Sequence, residues 1–171
     1  PIADAAAEAR ARTRADSARD LWQGKANWVV TDAPGDFVPT SPTGLWVHDT
    51  LSAQLDPPRA MAALAEAISA AGGEIVANGP EDGAVIHATG WEGLVELAQT
   101  TGHPIARGVK GQAAMLDADP GAVPQVFVDG LHIIAHGPGR VAVGSTSENT
   151  FDAPETVDAQ LDAVIAQARA A

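Results

Sequence analysis

Three stretches of this chain carry residue types that could do chemistry. The first is Ala84 to Trp91, AVIHATGW. A short apolar run breaks at Thr89-Gly90 and passes at once into a helical pattern. A buried strand that ends in a small-residue turn and feeds a helix is how many α/β proteins approach a nucleotide. The free N–H groups of the helix start then face the ligand. A plain strand-to-helix turn, where Gly is common, has the same spelling.

The second stretch is Gly108-Val109-Lys110-Gly111-Gln112, a cation in a flexible backbone. A phosphate loop needs a strand before it and a helix after it. Strand-like residues follow here, so this stretch is not one, and Gly137 to Gly139 fails the same test. The third is His132 with His136. At i and i+4 on a helix they would make a metal pair. The residues between them, Ile133-Ile134-Ala135, have a β period, and on a strand the two rings would lie ~13 Å apart. One metal cannot bridge that span, and no metal site is expected. One of the two histidines could still face a pocket. In Val47-His48-Asp49 adjacent strand residues point to opposite faces, so the trio reads as structural. His103, ahead of Pro104, reads as solvated in a connection. Ser145-Thr146-Ser147 lacks the spacing of a nucleophile elbow, which leaves a hydrolase as a third and weak option.

These residues must be held by elements that the spacing defines. Ile2 to Leu21 reads as an Ala-rich surface helix. Trp28 to Val30 and Leu45 to Leu51 read as strands, with a Pro/Gly loop from Thr31 to Gly44 between them. Asp56-Pro57 is a strong helix start. Met61, Leu64, Ala65 and Ile68 form its apolar face, and Gly72-Gly73 stops it. Glu74 to Ala77 is an expected short strand, Asn78 to Gly83 a turn-rich connection, and Ala84 to Ala88 a second strand. The next helix carries Trp91, Leu94, Val95 and Ala98 and ends at Gly102-His103-Pro104. Val109 to Leu116, Gln125 to Val128, Leu131 to Ala135 and Arg140 to Ser145 read as an antiparallel meander, with a tight Asp129-Gly130 turn. A last helix starts at Asp152 or Pro154, with Val157, Leu161, Val164, Ile165 and Ala168 in phase. The fold class is α+β, a βαβ-like middle from Asp56 to Gln99 set between two parts of an antiparallel sheet.

The totals narrow the function classes. A hydrophobic fraction of 46% argues for a globular chain, while aromatics make up only 4% and Tyr is absent. Packing must therefore rest on Ala contacts and on Val, Ile and Leu. A net charge of -12 disfavours nucleic acid and anionic membrane surfaces as partners. The absence of Cys removes disulfides and thiolate chemistry. No apolar run approaches the ~20 residues of a membrane helix, and Pro1 to Asp20 is too charged for a signal peptide. A cytoplasmic location is the expectation. The chain lacks an initiator Met and stops inside a helical run, as expected of a piece of a longer polypeptide.

Five segments in order resemble the FAD-dependent oxidoreductases of the D-amino acid oxidase and glycine oxidase type. They are LSAQLDPPRAMAALAEAISAAGGEI, AVIHATGWEGL, GVKGQAAML, GLHIIAHGPGRVAVGSTSE and DAQLDAVIAQA, spanning roughly Gly44 to Ala168. The resemblance implies a flavoprotein in which the chain winds between two domains. Residues 1–55 and 103–171 would form the substrate domain, with a large antiparallel or mixed sheet. Residues 56–102 would be the middle segment of the FAD-binding domain. The implied reaction is oxidation of a C–N bond of an amino acid or amine, with hydride passing to the flavin. Ala88, Thr89, Gly90 and Trp91 match the strand-end motif that lines FAD. Lys110 and Gln112 match the turn where the chain leaves for the substrate sheet, and all three of Lys110, Gln112 and His132 are assigned to the substrate side. His132 stands where these oxidases often have a Tyr that touches the substrate carboxylate.

Two family features are missing from the sequence: the N-terminal Gly-x-Gly-x-x-Gly loop and the C-terminal segment with its carboxylate-binding Arg. The chain alone is therefore expected neither to hold FAD firmly nor to turn over. Its expected partner is a small amino acid or amine, with no nucleic acid and no membrane. The alternative is a non-catalytic small-molecule-binding module that has kept the sheet and lost the flavin fold.

Overall fold

Aspartate starts three of the four helices found among the described residues. The computed structural model describes residues 1–80 and 82–171. Asp4 accepts the Ala7 N–H at 2.7 Å ahead of α1 (Ala5–Trp22), and Asp56 accepts the Arg59 N–H at 3.1 Å ahead of α2 (Pro57–Ala70). Asp158 accepts the Gln160 N–H at 2.9 Å ahead of α4 (Ala159–Ala170). Each such cap satisfies a donor that the first helical turn would otherwise leave unpaired, which contributes about 1 kcal/mol. The remaining helix, α3 (Gly90–Thr101), follows Thr89 without a side-chain cap and ends on Gly102 at φ 72°.

Six strands form two antiparallel sheets, so the chain is α+β. β1 (Trp28–Thr31) pairs with β2 (Trp46–Asp49), with Val29 opposite His48. β3 (Ala113–Asp117), β4 (Val126–Val128), β5 (Leu131–Ala135) and β6 (Arg140–Gly144) stand in the order β3-β6-β5-β4. The β4–β5 hairpin turns on Asp129 and Gly130, at φ 49° and 82°. Two positive φ angles in succession are what a two-residue turn matched to strand twist requires.

The chain divides into two compact units. One holds Pro1–Gln54, Gly111–Thr146 and Glu155–Ala171; the other holds Leu55–Lys110 and Ser147–Pro154. The first unit contains the core. Val126, Val128, Leu131, Ile133, Val141 and Val143 are buried together, with Phe37, Leu116, Val164 and Ala168 packed against them. These residues alternate with exposed Phe127 and His132, so one sheet face meets α4 and the other carries Phe127 and His132. On the smaller sheet the buried Ala11 and Ala18 let α1 lie close, and the Trp28 indole N–H donates to the Ala11 carbonyl at 3.0 Å.

Close approach of β3 to β6 depends on Gly144. A Cβ there would stand 2.8 Å from the Ala113 Cβ and 3.4 Å from its Cα. Gly144→Ala is therefore expected to lower stability by about 1–3 kcal/mol, read as a shifted urea midpoint.

The second unit departs from the sequence expectations. Glu74 to Ala77 and Ala84 to Ala88, both expected as strands, are in no sheet, and Ile86 is 88% exposed. Apolar runs become strands only when another segment supplies the ladder, and no described segment pairs with either. The turn-rich connection expected from Asn78 to Gly83 includes Glu81, which lies outside the described residues. The βαβ-like middle thus holds two helices, and among its described residues there is no strand between them. The last helix also begins later than Asp152 or Pro154, leaving Val157 outside it. Its start is fixed at Asp158, whose own N–H donates to the Gln112 side-chain oxygen at 2.9 Å.

Candidate functional site

The larger sheet, the smaller sheet and α1 border a half-open cavity of about 750 Å³ within the first unit. That volume suits a small organic ligand. Helix α1 contributes Ala7, Arg10, Ala11 and Arg14. Their spacing of three and four residues places them on one helical stripe. β2 contributes Trp46 and His48, while β4 and β5 contribute Phe127 and His132.

The walls are fixed by hydrogen bonds and ring contacts. Trp28 is held to α1 through its indole N–H, as described above, and the Trp46 indole N–H donates to the Pro39 carbonyl at 2.8 Å. The intervening loop is pinned by Ser41 and Thr43, whose hydroxyls donate to the Ile2 carbonyl at 3.2 and 2.7 Å. His132 lies directly opposite Phe127 in the β4–β5 register, and their rings meet with centroids 4.7 Å apart at 45°. Such a contact restricts the imidazole to an orientation fixed by its neighbour. The chain has four Trp and three Phe, and four of these seven, Trp28, Phe37, Trp46 and Phe127, line this one cavity.

Charge in the cavity is also arranged. Arg12 pairs with Glu8 at 2.7 Å and Arg19 with Asp16 at 3.1 Å, both on the outside of α1. Arg10 and Arg14 are exposed along the cavity rim, and among the described residues neither is in an ion pair. The lining carboxylate, Asp49, is already engaged. Its Oδ1 accepts the Ser52 N–H at 2.7 Å and the Leu51 N–H at 3.1 Å, and its Oδ2 accepts the Ser52 hydroxyl at 3.1 Å.

The residues singled out from the sequence are distributed between the units. His132 lines the cavity; Lys110 and Gln112 do not. Lys110 is 7% exposed in the second unit, its ammonium 3.7 Å from the Glu148 carboxylate. Gln112 is 4% exposed in the first unit, where it accepts the Asp158 N–H and its own N–H donates to the Thr146 hydroxyl at 2.8 Å. Ala88, Thr89, Gly90 and Trp91 open α3 in the second unit. His136 lies past the end of β5, and among the described residues no group of His, Asp and Glu could hold a metal. Ser145 and Ser147 do not line the cavity. Sequence reasoning missed Arg10, Arg14, Trp46, His48 and Phe127. One signal was present: two arginines at i and i+4 beside Ala7 and Ala11, on the Ala-rich stripe of the helix.

The turn before α3 is open at Gly90. Gly90 has φ 71°, and a Cβ there would meet nothing within 4 Å. A Cβ at Gly93, by contrast, would run into the Thr89 side chain. Trp91 is anchored over Gly108, where a Cβ would approach the indole at 3.0 Å and Phe151 at 3.2 Å. The turn therefore offers uncapped backbone N–H groups beside free space, which fits an edge contact with a dinucleotide. A pyrophosphate cradle of strand, Gly-rich loop and helix is not found among the described residues.

Comparison with protein families supplies the class. The family of FAD dependent oxidoreductases (DAO) matches over residues 1–171, the whole chain. The protein belongs to this FAD-dependent family. No curated protein and no solved structure matches it. Among the described residues no helix is long and apolar enough to cross a membrane.

Proposed function

We propose that this chain is the substrate-handling part of a flavoenzyme that oxidises the C–N bond of an amino acid or amine. The observation that carries the reading is the aromatic-walled cavity with His132 on its edge, in a chain of this family. FAD, when bound, would supply the hydride acceptor for the substrate carbon. The chain's own residues bind and orient. Trp28, Trp46 and Phe127 exclude water around the substrate body, and His132, braced by Phe127, offers one ring N–H or one ring lone pair to a substrate polar group. Backbone N–H groups at Thr89, Gly90 and Trp91, with Ala88 before them, take the cofactor edge. Lys110 and Gln112 serve as positioning residues, tying the chain at the entry to β3.

The α2 face of Met61, Leu64 and Ile68, each 46–65% exposed, supports the same reading. In the proposal this segment packs into an FAD-binding domain, which also supplies the missing partners of Glu74–Ala77 and Ala84–Ala88. A small amine or amino acid is the partner, and nucleic acid is not.

The flavin-loaded protein tests this. Mixed anaerobically with a panel of amino acids and secondary amines, it is expected to lose its visible flavin band and to release keto acid and amine. His132→Ala should weaken half-saturation by substrate up to about tenfold and leave the flavin content unchanged. Bleaching by 2-hydroxy acids but by no amine would overturn the reading.

A further inference from the structure

We propose that Asn78 is a site of spontaneous covalent modification, at which the side-chain amide closes onto the Gly79 nitrogen and leaves aspartate or isoaspartate in the chain after α2. The change needs neither flavin nor substrate and stands apart from the reaction assigned above.

Three features favour it. The first is an unshielded main-chain nitrogen. The chain has three asparagines, Asn27, Asn78 and Asn149, and Asn78 is the one followed by Gly. The other two precede Trp28 and Thr150, whose side chains crowd the nitrogen that would attack. The second is that the reacting groups are unengaged. Among the described residues neither the Asn78 side chain nor the Gly79 N–H makes a hydrogen bond. Asn27, by contrast, is tied down ahead of β1: its N–H donates to the Thr50 hydroxyl at 2.9 Å, and its carbonyl accepts the Thr50 N–H at 3.0 Å. The third is backbone freedom. Residues 71–80 are exposed throughout, and Asn78 and Gly79 lie in no helix or strand, so no ladder holds their dihedral angles. Glycine widens the range those angles can reach.

The Gly79 nitrogen bonds to the Asn78 Cγ, the Cγ–Nδ2 bond breaks, and ammonia leaves with the proton of the Gly79 N–H. Water then opens the cyclic imide at either carbonyl. One opening gives aspartate. The other routes the main chain through the Asn78 Cβ and so lengthens it by one carbon. Either product adds a carboxylate to a chain whose net charge is already -12.

The test is to incubate the folded chain at mildly alkaline pH and then cut it after glutamate in weak acid. Residues 75–81 carry Asn78 as their sole asparagine, and residues 149–155 carry Asn149. The first peptide is expected to split into three chromatographic forms. Two should be heavier by the exchange of amide for acid, and one of these should accept a methyl group from an isoaspartyl methyltransferase. The second peptide should keep its mass. Gly79→Val should slow the change at least about tenfold, a rise of ~1.4 kcal/mol in the barrier. Gly79 is not at positive φ, and a Cβ there would stand 3.2 Å from the Val76 side chain, so the variant is expected to keep native circular dichroism. Asn78→Gln, an exposed substitution, should abolish the mass change and leave the urea midpoint where it was. Equal conversion at Asn78 and Asn149 would overturn the proposal, as would a Gly79→Val chain that converts as fast as its parent. So would a folded chain that keeps Asn78 intact while the same chain in urea converts it, because the fold would then be guarding the site.

Discussion

Replacing Glu148 with alanine is expected to lower the unfolding free energy of its unit by about 3–5 kcal/mol. The Lys110 and Glu148 side chains are only 5% and 9% exposed, with ammonium and carboxylate 3.7 Å apart. Taking two charges out of water is unfavourable, and their attraction offsets that penalty only while both are present. Their backbones are bonded independently, Lys110 N–H to the Glu148 carbonyl at 3.0 Å and Glu148 N–H to the Lys110 carbonyl at 2.8 Å. Alanine keeps those bonds, so the loss reports on removing the carboxylate from beside the buried ammonium. The double variant Lys110→Met with Glu148→Leu removes both charges and should recover most of the stability. Hydrogen exchange at the amides of Leu55–Lys110 reads the effect locally, because the chain has two units and a single two-state transition need not describe both. A double variant as unstable as Glu148→Ala would show that packing, and not charge, holds this joint.

The second large effect belongs to the sheet core. Leu131 is 2% exposed and sits opposite Val128 within the buried cluster. Leu131→Ala removes three carbon atoms and leaves a void that β-sheet neighbours fill only in part, for an expected loss of about 2–5 kcal/mol. In thermal unfolding this corresponds to roughly 2–4 °C for each kcal/mol in a chain of this size. Phe127 is the control. It is larger but 57% exposed on the opposite face of the same hairpin. Phe127→Ala should change stability by less than about 1 kcal/mol, since little of its surface leaves water on folding. Equal losses at the two positions would contradict the alternation of faces along β4 and β5.

Elements that carry their own instructions were legible in the sequence. Asp56-Pro57 caps and starts α2 as its chemistry dictates, and Asp129-Gly130 turns the hairpin because both backbone angles suit it. The period-two runs from Val126 to Gly144 became strands because each supplies the next one's ladder. Ala84 to Ala88 has equal apolar character and did not, because pairing is a property of two segments and only one is written there. The start of α4 differs from the sequence expectation for a related reason: Asp158 is chosen over Asp152 by a hydrogen bond that its N–H donates to the side-chain oxygen of Gln112, distant in sequence. Of the cavity, only His132 was legible. His48 read as structural because its neighbours in sequence, not those in space, set the expectation. Arg10 and Arg14 belong to a helix that reads as an Ala-rich surface element, and their place at the cavity depends on the sheet beside them.

Among the described residues no ladder crosses from the strands before Gln54 to the strands after Gly111: β1 pairs with β2, and β3 to β6 pair among themselves. The cavity is therefore written in two halves, Arg10, Trp28 and His48 in one and Phe127 and His132 in the other, with Leu55–Lys110 between them. A doubling of such an intervening stretch adds only about 0.6 kcal/mol of closure entropy and shifts no strand register. Insertions and deletions in this stretch can thus remodel one unit while the cavity-lining residues keep their places in the other.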